Sequence, residues 1–277
     1  MQPMRKYHFI SGLPRAGSTL LSAILKQNPR FTADISDPLL DFVKSITSTV
    51  NQSVGMAAQC GEEKQQEMMK GIVDTYYKDG NEVCFNTNRG WSANTALAKL
   101  LYPTSKMIIC VRDIPWILDS FERLNSKNPL TIKPLYNHQD LGTVYERTRM
   151  LMGEYQNQAG YVLGPLANVK QVVYSEDRDM ICVVDYEALA KNPLDTMQRI
   201  YQFLGEPWYE HDFENVEDSY DEFDQQAKIS GLHTVKRRVE YTPRKPILPE
   251  DLFLQYSGQS FWKNNFDHIK RQINWIG

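Results

Sequence analysis

The chain predicts an α/β fold of three layers, a central parallel β-sheet with helices on both sides. Three alternations of strand and helix, at residues 7–25, 106–121 and 180–204, predict it. A strand that returns parallel to its neighbour needs a crossover, and a helix is the usual one. Two of the strands, KMIICVR (106–112) and MICVVDY (180–186), are unbroken apolar runs, the pattern of a strand covered on both faces. Composition agrees: 42% hydrophobic and 11% aromatic residues in 277 supply a core. No repeat, low-complexity tract or linker divides the chain, so residues 1–277 read as one domain.

In chain order, residues 7–11 form a short strand that runs into a glycine-bearing loop. The helix after it carries Leu20, Leu21, Ile24 and Leu25 on one face and stops at Asn28-Pro29. Residues 38–55, 62–78 and 140–163 read as helices, the last from a stripe of Leu141, Val144, Tyr145, Thr148, Leu151, Met152 and Tyr155. Residues 83–86 read as a strand. After 106–112, Asp113 caps a helix with Pro115 in its first turn and Ile114, Ile117, Leu118 and Phe121 at helical spacing. After 180–186, Asn192-Pro193 opens a helix carrying Leu194, Met197, Ile200, Tyr201 and Leu204, closed by Gly205.

The net charge of −3 gives no reason to expect a nucleic-acid partner, and no apolar run reaches the length of a membrane span. The opening MQPMRKYHFISGLP reads as a first strand and not a signal peptide. Cys84, Cys110 and Cys182 lie in apolar runs; with Cys60 they show no metal-ligand spacing. Free thiols and a cytoplasmic location are the expectation. The stretch 206–224 holds acids without Lys or Arg, whereas KRRVEYTPRK (236–245) holds five cations. Each is read first as a solvated face.

The loop GLPRAGSTLL (12–21) carries the chemistry. Gly12, four residues, then Gly17-Ser18-Thr19 follows an apolar strand and opens a helix. Glycines let the backbone turn its amides onto an anion, and the helix start adds its dipole. Pro14, Arg15, Ala16, Gly17, Ser18 and Thr19 are the candidate phosphate-binding residues. The ATP-type loop has lysine after its second glycine; here Ser18 holds that place, and the cation is Arg15, inside the loop. A guanidinium there suits a diphosphate-like group whose bridging oxygen leaves with negative charge.

At these residues the chain resembles the sulfotransferases that use 3′-phosphoadenosine 5′-phosphosulfate, so a P-loop-NTPase-like sulfotransferase fold is implied. An arginine in this loop is closer to bacterial and tyrosylprotein sulfotransferases than to the lysine-bearing cytosolic enzymes. The resemblance makes Arg15 the residue that helps the sulfuryl group leave. A second motif, VRDIPWILDS, supplies Arg112 and, eight residues on, Ser120 for the 3′-phosphate. In VDYEALAKNPLDTMQRIYQFLGEPW (184–208), Tyr186 matches the tyrosine that faces the adenine. CFNTNRGW (84–91) keeps Arg89 and Trp91, but Asn86 and Thr87 stand where relatives have aspartate and lysine. Lys236 and Arg237 match the late basic segment that covers the 3′-phosphate.

The implied reaction is in-line sulfuryl transfer to a hydroxyl or amine of a small molecule, carbohydrate or peptide, with the 3′,5′-bisphosphate as product and no metal required. Its base is open. Relatives with this loop place a glutamate seven residues past the first helix's proline, which here is Ser36. Asp37 is the candidate base, with Asp34, His138 and His233 as alternatives. Two other readings stay open: a magnesium-ATP kinase of small molecules, and a nucleotide-binding module without catalysis.

Overall fold

The computed structural model describes residues 5–129, 136, 141–154, 160–216, 218, 220–226, 228–264 and 266–277. Six strands form one sheet: β1 (Lys6–Gly12), β2 (Phe31–Ala33), β3 (Val83–Thr87), β4 (Met107–Val111), β5 (Ile181–Asp185) and β6 (Asn274–Ile276). Their order is β2-β3-β1-β4-β5-β6 and every pairing is parallel. Helices α1 (Ser18–Leu25), α2 (Leu39–Val50), α3 (Val54–Gln59), α4 (Glu62–Tyr76), α5 (Thr95–Leu101), α6 (Ile114–Lys127) and α7 (Val144–Leu151) flank it. So do α8 (Leu163–Val173), α9 (Tyr186–Lys191), α10 (Pro193–Leu204), α11 (Asp221–Gln226), α12 (Glu250–Ser257) and α13 (Asp267–Lys270).

The expected strands and their helices are present; β2 and β6, three residues each, carry too little pattern to be read. The central strands β3 and β4 are buried at every position, as a strand covered on both faces must be. Most of the core surrounds them; a smaller cluster, including Tyr7, Val43, Val73, Tyr77 and Cys84, seats the α2–α4 pair. Among the described residues no helix is long and apolar enough to cross a membrane, and the four cysteines are free.

Three local expectations change. Within the stretch expected as one helix, 140–163, the helix described is α7, and α8 begins only at Leu163. A capping box between Thr143 and Glu146 opens α7 at Val144, and Gly153 (φ 70°) turns the chain out of it. Tyr155 lies outside the described residues. The helix expected over 38–55 breaks after Val50, and Ser53 caps α3 through the Met56 amide. Asp113 precedes α6, but its carboxylate accepts from Ser260 and pairs with Lys263 at 2.9 Å instead of capping.

β1 has β3 on one side and β4 on the other, and its register sets Gly12 beside Cys110 and Ile10 beside Thr87. The carboxyl ends of these strands therefore share one edge. Parallel sheets bind ligands outside that edge, where successive crossovers diverge.

Candidate active site

A cleft of about 460 Å³ opens at this edge. One end is the loop between β1 and α1. Gly12 (φ 118°) leaves β1 with backbone packed against Cys110, where a Cβ would stand 2.1 Å from the Cys110 carbonyl oxygen. Arg15 is left-handed (φ 58°), as is Gly17 (φ 93°), so the peptide turns twice before α1 begins. No side chain caps α1, and Gly17, Ser18 and Thr19 at its start line the cleft. That is an anion cradle.

Two guanidiniums converge on it. Arg15 Nε donates to Ser120 Oγ at 3.0 Å and its Nη1 donates to the Leu232 carbonyl. Arg112 Nη1 donates to the Arg15 carbonyl oxygen at 3.2 Å, and its Cζ lies 4.3 Å from the centre of the Tyr186 ring. Tyr186 in turn packs so closely on Gly17 that a Cβ there would be 2.9 Å from the ring. Burial, then the neighbouring Arg112, pushes Arg15 down to about 10, and burial lowers Arg112 as well. Among the described residues neither has a carboxylate at ion-pair distance; the nearest acids, Asp119 and Asp224, are paired to other groups. Two half-buried cations without a carboxylate partner, beside an uncapped helix start, form a site that favours a multiply charged anion.

The late basic segment reaches the cleft in a different register from the one expected. Lys236 lines it and pairs with Glu240 at 3.4 Å. Arg237 turns away to Asn215 Oδ1 at 2.8 Å, and Arg238 lines the cleft in its place. Ala16 is packed inside the loop, and Ser120 stands behind Arg15. Thus Pro14, Arg15, Gly17, Ser18, Thr19, Arg112, Tyr186 and Lys236 face the cleft, Ala16 and Ser120 support it, and Arg237 lies outside.

The other end is made by loops. Asp37 is 2% exposed; its Oδ2 accepts from Tyr77 Oη at 3.0 Å, and its Oδ1 is buried without a hydrogen-bond partner. Tyr77 Oη accepts from Asn86 Nδ2 at 2.9 Å, and Asn86 Oδ1 from Trp91 Nε1 at 2.6 Å. Asn86 thus serves a buried neutral chain of hydrogen bonds. Burial lifts Asp37 to about 6 against the opposing Tyr76 and Tyr77 hydroxyls. Asp37 does not cap the helix that follows it, since no side chain caps α2. Thr87 lines the cleft with its Oγ1 3.4 Å from Ser22 Oγ. Arg89 Nη2 donates to Tyr161 Oη at 2.5 Å on the same wall.

Of the alternative bases, Asp34 pairs with Lys26 on the surface and His138 lies outside the described residues. His233 lines the cleft. It rests on Asp224, and reaches Ser36 with its Nε2 3.3 Å from Oγ. No sequence pattern marks these two contacts, which join residues 9 and 197 positions apart. Nor is the acidic run simply a solvated face: Glu206 is buried between Lys6 and Arg30, and Asp224 is buried.

Residues 8–210 match the model of the sulfotransferase family. No curated protein matches the chain. Among solved structures, the sulfotransferase domain from the curacin biosynthetic pathway superposes with a TM-score of 0.58 at 15% identity, over 93% of this chain and 98% of that one. The sulfotransferase from Alicyclobacillus acidocaldarius gives 0.51 at 13% identity, over 98% and 96%. At these identities the likeness is one of fold.

Proposed function

The chain belongs to the sulfotransferase family, and we propose that it moves a sulfuryl group from 3′-phosphoadenosine 5′-phosphosulfate to a hydroxyl or amine of a small-molecule, carbohydrate or peptide acceptor. The observation that carries this is the pair of half-buried guanidiniums, Arg15 and Arg112, that line the cleft with no carboxylate at ion-pair distance, beside the uncapped start of α1. Bound there, the donor supplies the sulfuryl group and the leaving 3′,5′-bisphosphate.

The loop amides and α1 hold the 5′-phosphate, and Arg15 neutralises charge as it grows on the bridging oxygen. Arg112 holds the 3′-phosphate, Ser120 aims Arg15 from behind, and Lys236 and, in this register, Arg238 close over the phosphate. Tyr186, fixed between Gly17 and Arg112, offers its ring to the adenine. Because Arg15 Nε contacts Ser120 directly, Arg15 bridges the two phosphate sites and contributes to affinity as well as to the chemical step. The reaction asks mainly for positioning and charge stabilisation, and the guanidiniums furnish the positive charge that a kinase draws from lysine and magnesium. A base must also take the acceptor's proton; Asp37 and His233 both line the cleft.

The test is calorimetric titration with 3′-phosphoadenosine 5′-phosphate and, in parallel, with magnesium-ATP. Tight, metal-independent binding of the bisphosphate with much weaker ATP is the expected result. Preference for magnesium-ATP would replace this reading with the kinase, and Ser18 would then have to be reconciled with the missing lysine.

A further inference from the structure

The loop after α11 brings together three side chains that no local motif connects. Asp224, 1% exposed, accepts from the His233 amide at 2.8 Å and holds its Nδ1 at 2.6 Å. A carboxylate only accepts, so Nδ1 carries the hydrogen and Nε2 presents its lone pair. Nε2 faces Ser36 Oγ at 3.3 Å. Ser36 is exposed and left-handed (φ 49°), and stands on the opposite wall of the cleft. The residue before His233 accepts from Arg15, so the imidazole is one residue from the guanidinium assigned to the leaving oxygen.

We propose that His233, oriented by Asp224, takes the acceptor's proton, and that the Ser36 hydroxyl marks where the acceptor's hydroxyl stands. This rests on the sulfuryl-transfer reading and completes it. Asp37 is the poorer candidate on geometry: one oxygen is committed to Tyr77 and the other is sealed from solvent. His233 instead presents its unprotonated Nε2 to the exposed Ser36 hydroxyl at the cleft lining. In the step, the acceptor's O–H proton passes to Nε2 as its oxygen bonds to sulfur. The bond from sulfur to the 5′-phosphate oxygen breaks, and its electron pair stays on that oxygen. The imidazolium formed is paired with Asp224 and returns its proton to solvent. Asp224 is a positioning residue.

The groups facing His233 set its titration. Burial lowers its pKa, Asp224 raises it, and Arg15 and Arg89 lower it, for a net value below the ordinary one; the rings of Tyr220 and Phe223 flank it without charge. The imidazole is therefore neutral and ready at pH 7, and the transfer rate climbs with pH on a limb that lies below neutrality.

The experiment follows single-turnover transfer of the sulfuryl group from the phosphosulfate donor, to water as inorganic sulfate and to 2-naphthol as its sulfate ester, against pH. Bisphosphate affinity is measured calorimetrically on the same proteins. His233→Gln is expected to slow transfer about 100-fold or more while bisphosphate affinity stays within about threefold. Added imidazole should restore part of the rate to His233→Ala. Asp224→Asn should move the rising limb to lower pH, because it removes the influence that raises the pKa; a purely structural contact would not shift it. Survival of the limb in His233→Gln with its loss in Asp37→Asn would overturn the proposal and make Asp37 the base. Equal losses of rate and affinity in His233→Gln would overturn it too. Wild-type protein that binds the bisphosphate but transfers no sulfuryl group to either acceptor would instead overturn sulfuryl transfer itself.

Discussion

The two ends of the cleft are built on different principles. The phosphate end is fixed to the sheet: Gly12 lies against Cys110, Arg112 follows β4, and Tyr186 follows β5. Its ligands come from strand ends that neighbour one another in the parallel ladder. The acceptor end is assembled from loops, with Ser36, Asp37, Arg89 and His233 meeting across long stretches of chain. On the proposed sulfuryl-transfer reading, the difference separates what the donor requires from what each acceptor requires. A rigid edge can serve one invariant phosphate pattern, and loops can be changed without disturbing the sheet.

The sharpest way to break that comparison is at its left-handed residues. Gly12→Ala should give no folded protein, because a Cβ at φ 118° would stand 2.1 Å from a backbone oxygen that cannot move aside. Ser36→Gly, also at a positive φ, should keep a thermal melt close to wild type by circular dichroism. Equal melts for both variants would mean that the phosphate end is no more rigid than the loops.

Next in size is the cost of Asp37. Its carboxyl, lifted by burial from 3.8 to about 6, is neutral in the fold when protonated. Stability from this group is therefore full below pH 4 and is lost as pH rises through 6. A shift of this size corresponds to about 3 kcal/mol. Asp37→Asn should thus melt several degrees above wild type at pH 8 and within a degree or so of it at pH 4. Identical melts at both pH values would show that the carboxyl is better solvated than the sealed Oδ1 implies.

The same division decides what could be read from the sequence. That the glycine loop, Arg112, Ser120 and Tyr186 would meet was legible because each lies within a contiguous run at a buried strand, and parallel pairing brings the strand ends together. Position within the late basic segment was not legible. Whether Arg237 or Arg238 enters the cleft depends on irregular backbone, where the Val216 amide bonds to the Arg237 carbonyl and the Val239 amide to that of Phe213. The tie between Asp224 and His233 was hidden for a similar reason, since an acid in an acidic run carries no mark of its partner. Asn86 and Thr87 read as departures from the family pattern; their reasons, a buried hydrogen-bond chain and contact with Ser22, depend on tertiary packing.

The smallest effect tests whether the phosphate end acts as one unit. Ser120 Oγ accepts from Arg15 Nε at 3.0 Å, so it can serve the 3′-phosphate directly or only by aiming Arg15. Ser120→Ala alone should weaken bisphosphate binding by about 0.5–1.5 kcal/mol, the worth of one ordinary hydrogen bond. The discriminating measurement is the double-mutant cycle with Arg15→Ala, each affinity read by calorimetry. If Ser120 works only through the guanidinium, adding Ser120→Ala to Arg15→Ala should cost nothing more, and the coupling should equal the single loss. If the hydroxyl holds the phosphate itself, the two losses should add. We expect strong coupling, because the arginine lies between the serine and the cleft, and simple additivity would return the 3′-phosphate contact to Ser120.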